Sequence, residues 1–317
     1  METALVTGAG GFLGSHLVDR LLADGYEVWG LDNFSTGSPR NLTSARSHRT
    51  FHLLRRDLIR PGTLPKTRTI YHLASPASPP RYQADPVGTL LVNSLGTLAV
   101  LRQAARAQAR VVLASTSEVY GDPEVHPQPE TYWGHVNPIG PRSCYDEGKR
   151  FAEALSVAFG RTEGVDVRIA RIFNTYGPRM ALDDGRVVSN FIVQGLRGKP
   201  LTVQGRGDQT RSFCYVSDLV EGLRRMADAP PRRVRGPVNL GNPRGERTVA
   251  ELAELICKLT GGRSEIRHIP RATDDPEHRR PDLRRARSWL GWEPRVPLAQ
   301  GLEQTVREFR ERLGNAP

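Results

Sequence analysis

Lysine is scarce in this chain. Lys66, Lys149, Lys199 and Lys258 are its only lysines among 45 lysines and arginines, so the formal net charge of +11 is carried almost wholly by arginine. The arginines are spread along all 317 residues, with no basic helix and no aromatic interleaving. That argues against a nucleic-acid binder and looks more like the codon bias of a GC-rich genome. Cysteine is also sparse: Cys144, Cys214 and Cys257 stand apart with no C-x-x-C pair, which excludes a zinc site and a disulfide framework and suits a reducing compartment. No metal is expected. No run approaches the roughly 18 apolar residues needed to span a bilayer. No internal repeat or low-complexity linker is present. The first strand starts at about Ala4, leaving no room for a signal peptide, so a cytoplasmic setting is expected.

What is present is an ordinary globular composition, 38% hydrophobic and 25% charged, laid out as strand, glycine loop, helix and strand again. The segment "TALVT" reads as a short apolar strand, and Leu13, Leu17, Val18, Leu21 and Leu22 follow at helical spacing before "EVWGLD". Further strands are expected at Thr69–Ala74, Val111–Ala114 and Val165–Arg171, with helices over Val87–Ala107 and Asp146–Glu163 between them. Such alternation predicts an α/β fold with a parallel, doubly wound sheet. Past about Gly177 the loops lengthen. Thr248 and Glu251 make a capping box for one later helix, and Leu298, Leu302, Val306, Phe309 and Leu313 form the apolar face of another. The expectation is a dinucleotide-binding domain over 1–177, joined by a strand-helix segment near 214–242, and a smaller C-terminal substrate-binding α/β cap over 178–317.

Gly8, Gly11 and Gly14 lie between the first strand and the first helix. Glycines there let the backbone approach a pyrophosphate at a helix N-terminus, whose free N–H groups favour negative charge. Asp32 closes the second strand about twenty residues on, the place of a ribose-binding acid in a Rossmann-like unit. A carboxylate there would repel a 2′-phosphate, which favours NAD over NADP. The alternative is a turn cluster and a capping aspartate. The expected NAD surface comprises Gly8, Gly11, Phe12, Leu13 and Gly14, then Asp32, Asn33 and Phe34. Asp57 and Leu58 follow the third strand, Leu73, Ala74 and Ser75 follow "TIYH", and Tyr145 and Lys149 complete the set.

Tyr145 and Lys149, four residues apart, share a helix face. A tyrosine near pH 10 is a poor base at neutrality; a nearby ammonium and a positive nicotinamide ring would stabilise its phenolate. Thr116 ends a strand in "STSEVYG" and can hydrogen-bond the same alcohol. Together these residues suit hydride transfer from a substrate hydroxyl.

The glycine loop, Tyr-x-x-x-Lys and Thr116 resemble the extended short-chain dehydrogenase/reductase family acting on nucleotide sugars. The strings "HLASPASPPRY", "STSEVYGDPEVHPQPETYWGHVNPIGPRSCYDEGKR", "RIFNTYGPRM" and "DDGRVVSNF" resemble its UDP-glucuronate decarboxylases, over nearly the whole chain. Eukaryotic members often carry an N-terminal membrane anchor, and none is expected here. The resemblance implies NAD-dependent oxidation at the sugar C4, loss of CO2 and return of the hydride to give the xylose nucleotide. It implies that Ser117 and Glu118 orient the sugar and handle a proton, that Asn174 and Arg211 meet the nucleotide diphosphate, and that Arg279 reaches the active site. Arg186, and more weakly Arg179, are further candidates for the substrate. Ser117-Glu118 stands where a 4,6-dehydratase typically carries an Asp-Glu pair and a 4-epimerase small residues, which speaks against both. A decarboxylase that releases the 4-keto pentose and NADH stays open, as does a silent NAD-sensing scaffold, although that class usually loses the tyrosine or lysine. Leu91 replaces a lysine usual in the family, so dTDP-glucuronate is an alternative to UDP-glucuronate. A homodimer is expected through helices 87–107 and 146–163.

Overall fold

The structure, a computed structural model, describes residues 1–314. Its central sheet contains β1 (Thr3–Thr7), β2 (Glu27–Asp32), β3 (Phe51–Arg55), β4 (Thr69–His72), β5 (Arg110–Thr116), β6 (Val167–Ile172) and β11 (Val238–Leu240). All seven are parallel, in the order β11-β6-β5-β4-β1-β2-β3. β5 is buried from Val111 to Thr116, as a strand covered on both faces should be. The order reverses between β1 and β4, which opens a crevice at their carboxyl ends. Gly8 and Leu73 stand there.

Helix α1 (Phe12–Ala23) buries Leu17, Val18, Leu21 and Leu22 and packs beside α7 (Val216–Asp228) on one face of the sheet. The opposite core joins Leu5, Ile70 and Val111 of the sheet to Val100 and Leu101 of α4 (Thr97–Ala107). Deep between β1, β4 and α4 lies His72, bonded through Nδ1 to Thr7 Oγ1 at 2.9 Å and through Nε2 to Thr97 Oγ1 at 3.0 Å. Burial lowers its pKa to about 3, so it stays neutral and structural.

The helix expected over Val87–Ala107 is interrupted. α2 (Pro79–Ala84) and α3 (Pro86–Leu91) lead into a wide π-type turn over Val92–Gly96, and α4 follows. Such a turn is a frequent device near functional sites. Here Asn93 is buried, donating to Thr89 O at 2.9 Å and Ser75 Oγ at 3.0 Å. Helix α5 (Ser143–Thr162) begins three residues before the expected start, which places Tyr145 in its first turn.

The rest of the fold carries three small sheets outside the central one. β7 (Thr175–Tyr176) pairs with β10 (Cys214–Tyr215), and β8 (Leu201–Gln204) with β13 (Ile266–Ile269). β9 (Thr210–Ser212) lies between β12 (Glu246–Thr248) and β14 (His278–Arg279). Helices α6 (Val187–Leu196), α8 (Val249–Thr260), α9 (Arg284–Leu290) and α10 (Leu298–Gly314) complete it. The capping box forms as expected: Thr248 Oγ1 accepts from Glu251 N at 3.1 Å while Glu251 accepts from Thr248 N at 2.9 Å.

Candidate active site

The glycine loop is shaped by contacts that admit no side chain. Gly8 has φ +72°, and a Cβ there would meet Ala74 N at 2.9 Å; one on Gly14 would meet Gly8 O at 2.0 Å. Gly11 caps α1 with no side chain, so the first N–H groups of the helix face outward for an anion. Asp32 accepts from Gly10 N at 2.8 Å and Phe34 N at 2.6 Å, tying the loop to the end of β2. Burial raises its pKa, against the pull of those two N–H groups. Asp57 accepts from Asn33 Nδ2 at 3.0 Å on the next strand end. This cradle fits a dinucleotide pyrophosphate.

From the loop a cavity of about 460 Å³ runs to the end of β5. Thr116 ends that strand, and its Oγ1 accepts from Glu118 N at 3.2 Å. Tyr145 faces it from α5, buried and stacked on Tyr82 with ring centroids 5.0 Å apart. Burial and then Glu118 push the Tyr145 phenol above its ordinary value, while the Thr116 hydroxyl and Arg186 oppose. Lys149 Nζ donates to Ala114 O at 2.9 Å and lies 5.8 Å from the Tyr145 ring centre. Burial lowers the lysine to about 8, with Glu153 opposing. The lysine is thus fixed by the strand backbone, beside the phenol and not hydrogen-bonded to it.

Glu118 receives two guanidiniums. Arg279, from β14, donates to both of its carboxylate oxygens, and Arg142, at the start of α5, donates to Oε2. Burial alone would raise the Glu118 pKa; Arg279 and then Arg142 outweigh it and hold the group well below the usual carboxylate range. Arg142 also lies 3.8 Å from Asp146, one turn along the helix.

Of the residues expected from the sequence, Gly8, Gly11, Phe12, Leu13, Gly14, Leu73 and Ser75 line the cavity, and so do Thr116, Ser117, Glu118, Tyr145, Lys149, Asn174, Arg179 and Arg186. Asp32, Asn33, Phe34, Asp57, Leu58 and Ala74 do not line it, nor do Arg211 and Arg279. Arg279 meets it through Glu118, and Arg211 is buried in an ion pair of 2.8 Å with Asp275. Leu91 stands apart, 38% exposed on the outer face with Val87, Leu90 and Leu95. Sequence reasoning missed Thr36, Ser38, Arg40 and Asn41, which line the loop end, and Arg81 and Arg312 on the walls. The turn "STGSPRN" carried a signal, because Gly37 packs on the glycine loop and Ser38 N donates to Gly10 O at 2.9 Å. Among the described residues no cluster suits a metal and no helix is long and apolar enough to cross a membrane.

Residues 4–241 match the NAD dependent epimerase/dehydratase family. The chain is 56% identical over 309 residues to UDP-glucuronic acid decarboxylase 1 of Danio rerio, covering 98% of this chain and 73% of that protein. It is 54% identical over 311 residues to UDP-glucuronic acid decarboxylase 5 of Arabidopsis thaliana, covering 98% and 90%. The crystal structure of UDP-glucuronic acid 4-epimerase from Bacillus cereus in complex with UDP-glucuronic acid and NAD superposes with a TM-score of 0.88 at 27% identity, over 98% of this chain and 99% of that one. The cofactor of this site is therefore NAD. The chain belongs to the NAD dependent epimerase/dehydratase family and, within it, to the UDP-glucuronic acid decarboxylases.

Proposed function

We propose that the protein decarboxylates a nucleotide-diphosphate glucuronic acid, UDP-glucuronate or its dTDP counterpart, to the xylose nucleotide. The observation that carries this reading is a hydride-transfer set, Thr116, Tyr145 and Lys149, sharing one cavity with a carboxylate gripped by two arginines. NAD supplies reversible acceptance of the C4 hydride. It would lie on Gly8, Gly11, Phe12, Leu13 and Gly14, with its adenosine toward Asp32, Asn33, Phe34, Asp57 and Leu58, and its nicotinamide toward Leu73, Ala74 and Ser75.

Tyr145 Oη takes the C4 hydroxyl proton, Thr116 orients that oxygen, and Lys149 contributes the nearby positive charge. A C4 ketone makes the sugar a β-keto acid. The C5–C6 bond then breaks, CO2 leaves, and the electron pair passes into an enolate whose C4 oxygen Tyr145 and Thr116 stabilise. Ser117 and Glu118 orient the sugar and handle the proton that returns to C5. Arg279 holds the sugar carboxylate, and Asn174 and Arg186 hold the diphosphate, which Arg211 reaches by leaving Asp275; the planar guanidinium fork is well suited to both groups. Residues 1–177 with 214–242 form the NAD-binding part and most of 178–317 the substrate cap.

The exposed Val87, Leu90, Leu91 and Leu95, with Phe151 and Val157 of α5, form an apolar face that a homodimer would cover through a four-helix bundle. In that setting Leu91 serves the interface and not the substrate. We take the protein to act in the cytoplasm. Incubation with UDP-glucuronate and dTDP-glucuronate, following CO2, NADH absorbance and product mass, tests the reading. CO2 with a pentose nucleotide and no lasting NADH supports it; CO2 with stoichiometric NADH means release of the 4-keto pentose; no CO2 from either substrate refutes it.

A further inference from the structure

The proposed reaction consumes one proton that its recycled parts do not provide. The proton that Tyr145 removes from the C4 hydroxyl goes back when the ketone is reduced. CO2 loss, however, leaves C5 one hydrogen short, and that hydrogen must arrive as a proton. Glu118 faces the cavity but is a poor carrier as it stands, because three guanidinium hydrogen bonds from Arg279 and Arg142 favour its ionised form.

A second carboxyl stands one step away. The Asp146 side chain is 8% exposed, its Oδ1 has no hydrogen-bond partner, and its Oδ2 lies 3.8 Å from Arg142 Nε, beyond hydrogen-bond reach. Arg142 Nε is itself buried without a partner, although Arg142 Nη2 donates to Glu118. One guanidinium therefore stands between two carboxyl groups and bonds only one of them. The other titratable or charged groups bearing on Asp146 are Arg279 from β14, Glu147, Tyr145 and Cys144 from α5, and Tyr82 from α2. Burial and then repulsion by Glu118 push the Asp146 carboxyl up to about 7, with Arg142 and Arg279 opposing.

We propose that Asp146 is a positioning residue that stores the proton destined for C5 and passes it to Glu118 as Arg142 moves from one carboxylate to the other. The inference rests on the decarboxylase reading above. When the anionic substrate draws Arg279 off Glu118 and Arg142 turns toward Asp146, the proton affinities of the two carboxyls exchange. The Asp146 O–H bond breaks and a Glu118 O–H bond forms. That O–H bond then breaks as the enolate π pair makes the C5–H bond and the C4 carbonyl re-forms. Solvent reprotonates Asp146 before the next cycle. No oxidant or reductant enters these steps.

The test is a single turnover of NAD-loaded enzyme with UDP-glucuronate, timing CO2 release and pentose formation separately from about pH 6 to about pH 9. In the wild type, pentose formation should decline above pH about 7, while CO2 release does not. Asp146→Asn should still release CO2 at close to the wild-type rate, yet form pentose roughly 100-fold more slowly and without that decline. Asp146→Glu should restore both the rate and the decline. The proposal is overturned if Asp146→Asn forms pentose with the wild-type rate and pH profile. It is equally overturned if CO2 release and pentose formation fall together in Asp146→Asn and Asp146→Glu rescues neither. A wild type that releases no CO2 overturns the decarboxylase reading itself, and with it this role.

Discussion

Glu118→Gln removes the one negative charge that Arg142 and Arg279 share while keeping the volume and one carbonyl oxygen. Arg279 is 4% exposed and Arg142 11% exposed at their side chains, so water reaches little of either guanidinium. Breaking a buried pair by neutralising one partner costs ~3–5 kcal/mol, because the remaining charge stays buried without compensation. Two arginines lose their anion here, but the amide oxygen can keep one hydrogen bond, which places the expected loss near the lower bound, ~3 kcal/mol. Urea unfolding of the two proteins without nucleotide reads this as a lower midpoint at unchanged slope. A substrate-like anion brings its own negative charge to the same arginines. UDP-glucuronate should therefore stabilise Glu118→Gln by more than it stabilises the wild type, while turnover falls at least ~100-fold. Equal midpoints in the absence of nucleotide would refute the view that the arginine pair depends on Glu118.

Three further outcomes follow from the geometry. Tyr145→Phe should bind NAD normally and oxidise substrate ~100-fold to ~10,000-fold more slowly, read as the loss of transient NADH absorbance after mixing. Gly14→Ala places a Cβ 2.0 Å from Gly8 O, so the loop must shift, and calorimetry should show NAD affinity lost in a protein whose circular dichroism is unchanged. Asp146, with its carboxyl raised to about 7 from ~3.9 in the unfolded chain, contributes stability that is complete below the lower value. That contribution is lost as pH rises through the upper one, so the wild type should lose stability relative to Asp146→Asn between those limits in paired urea melts.

What the sequence disclosed was what is local in it. The glycine loop, the Tyr-x-x-x-Lys pair and the strand-end Thr116 are short motifs whose geometry follows from one strand end or one helix face, and the parallel sheet follows from the alternation of apolar strands with helices. The grip on Glu118 was less legible. Arg142 and Arg279 lie 24 and 161 residues from it; Arg279 was expected in the site only through the family resemblance, and Arg142 was not expected there, because in a chain so rich in arginine nothing local marks either. Asp146 was hidden by its neighbour, since beside Tyr145 it reads as an ordinary first-turn acid of α5. Its isolation depends on burial, which no spacing reports. The ion pair of Arg211 with Asp275 and the π-type turn at Asn93 likewise arise from tertiary packing, not from a periodicity that a sequence window contains.

The central claim is that one hydride leaves C4 and returns to it around the loss of CO2. The most direct test is to convert UDP-glucuronate deuterated at C4, in ordinary water and then in heavy water, and to locate the label in the pentose by NMR. The account requires deuterium retained at C4 in both solvents, with one solvent deuteron at C5 in heavy water. Loss of the C4 label to released NADH, or a product still carrying its carboxylate, would contradict it.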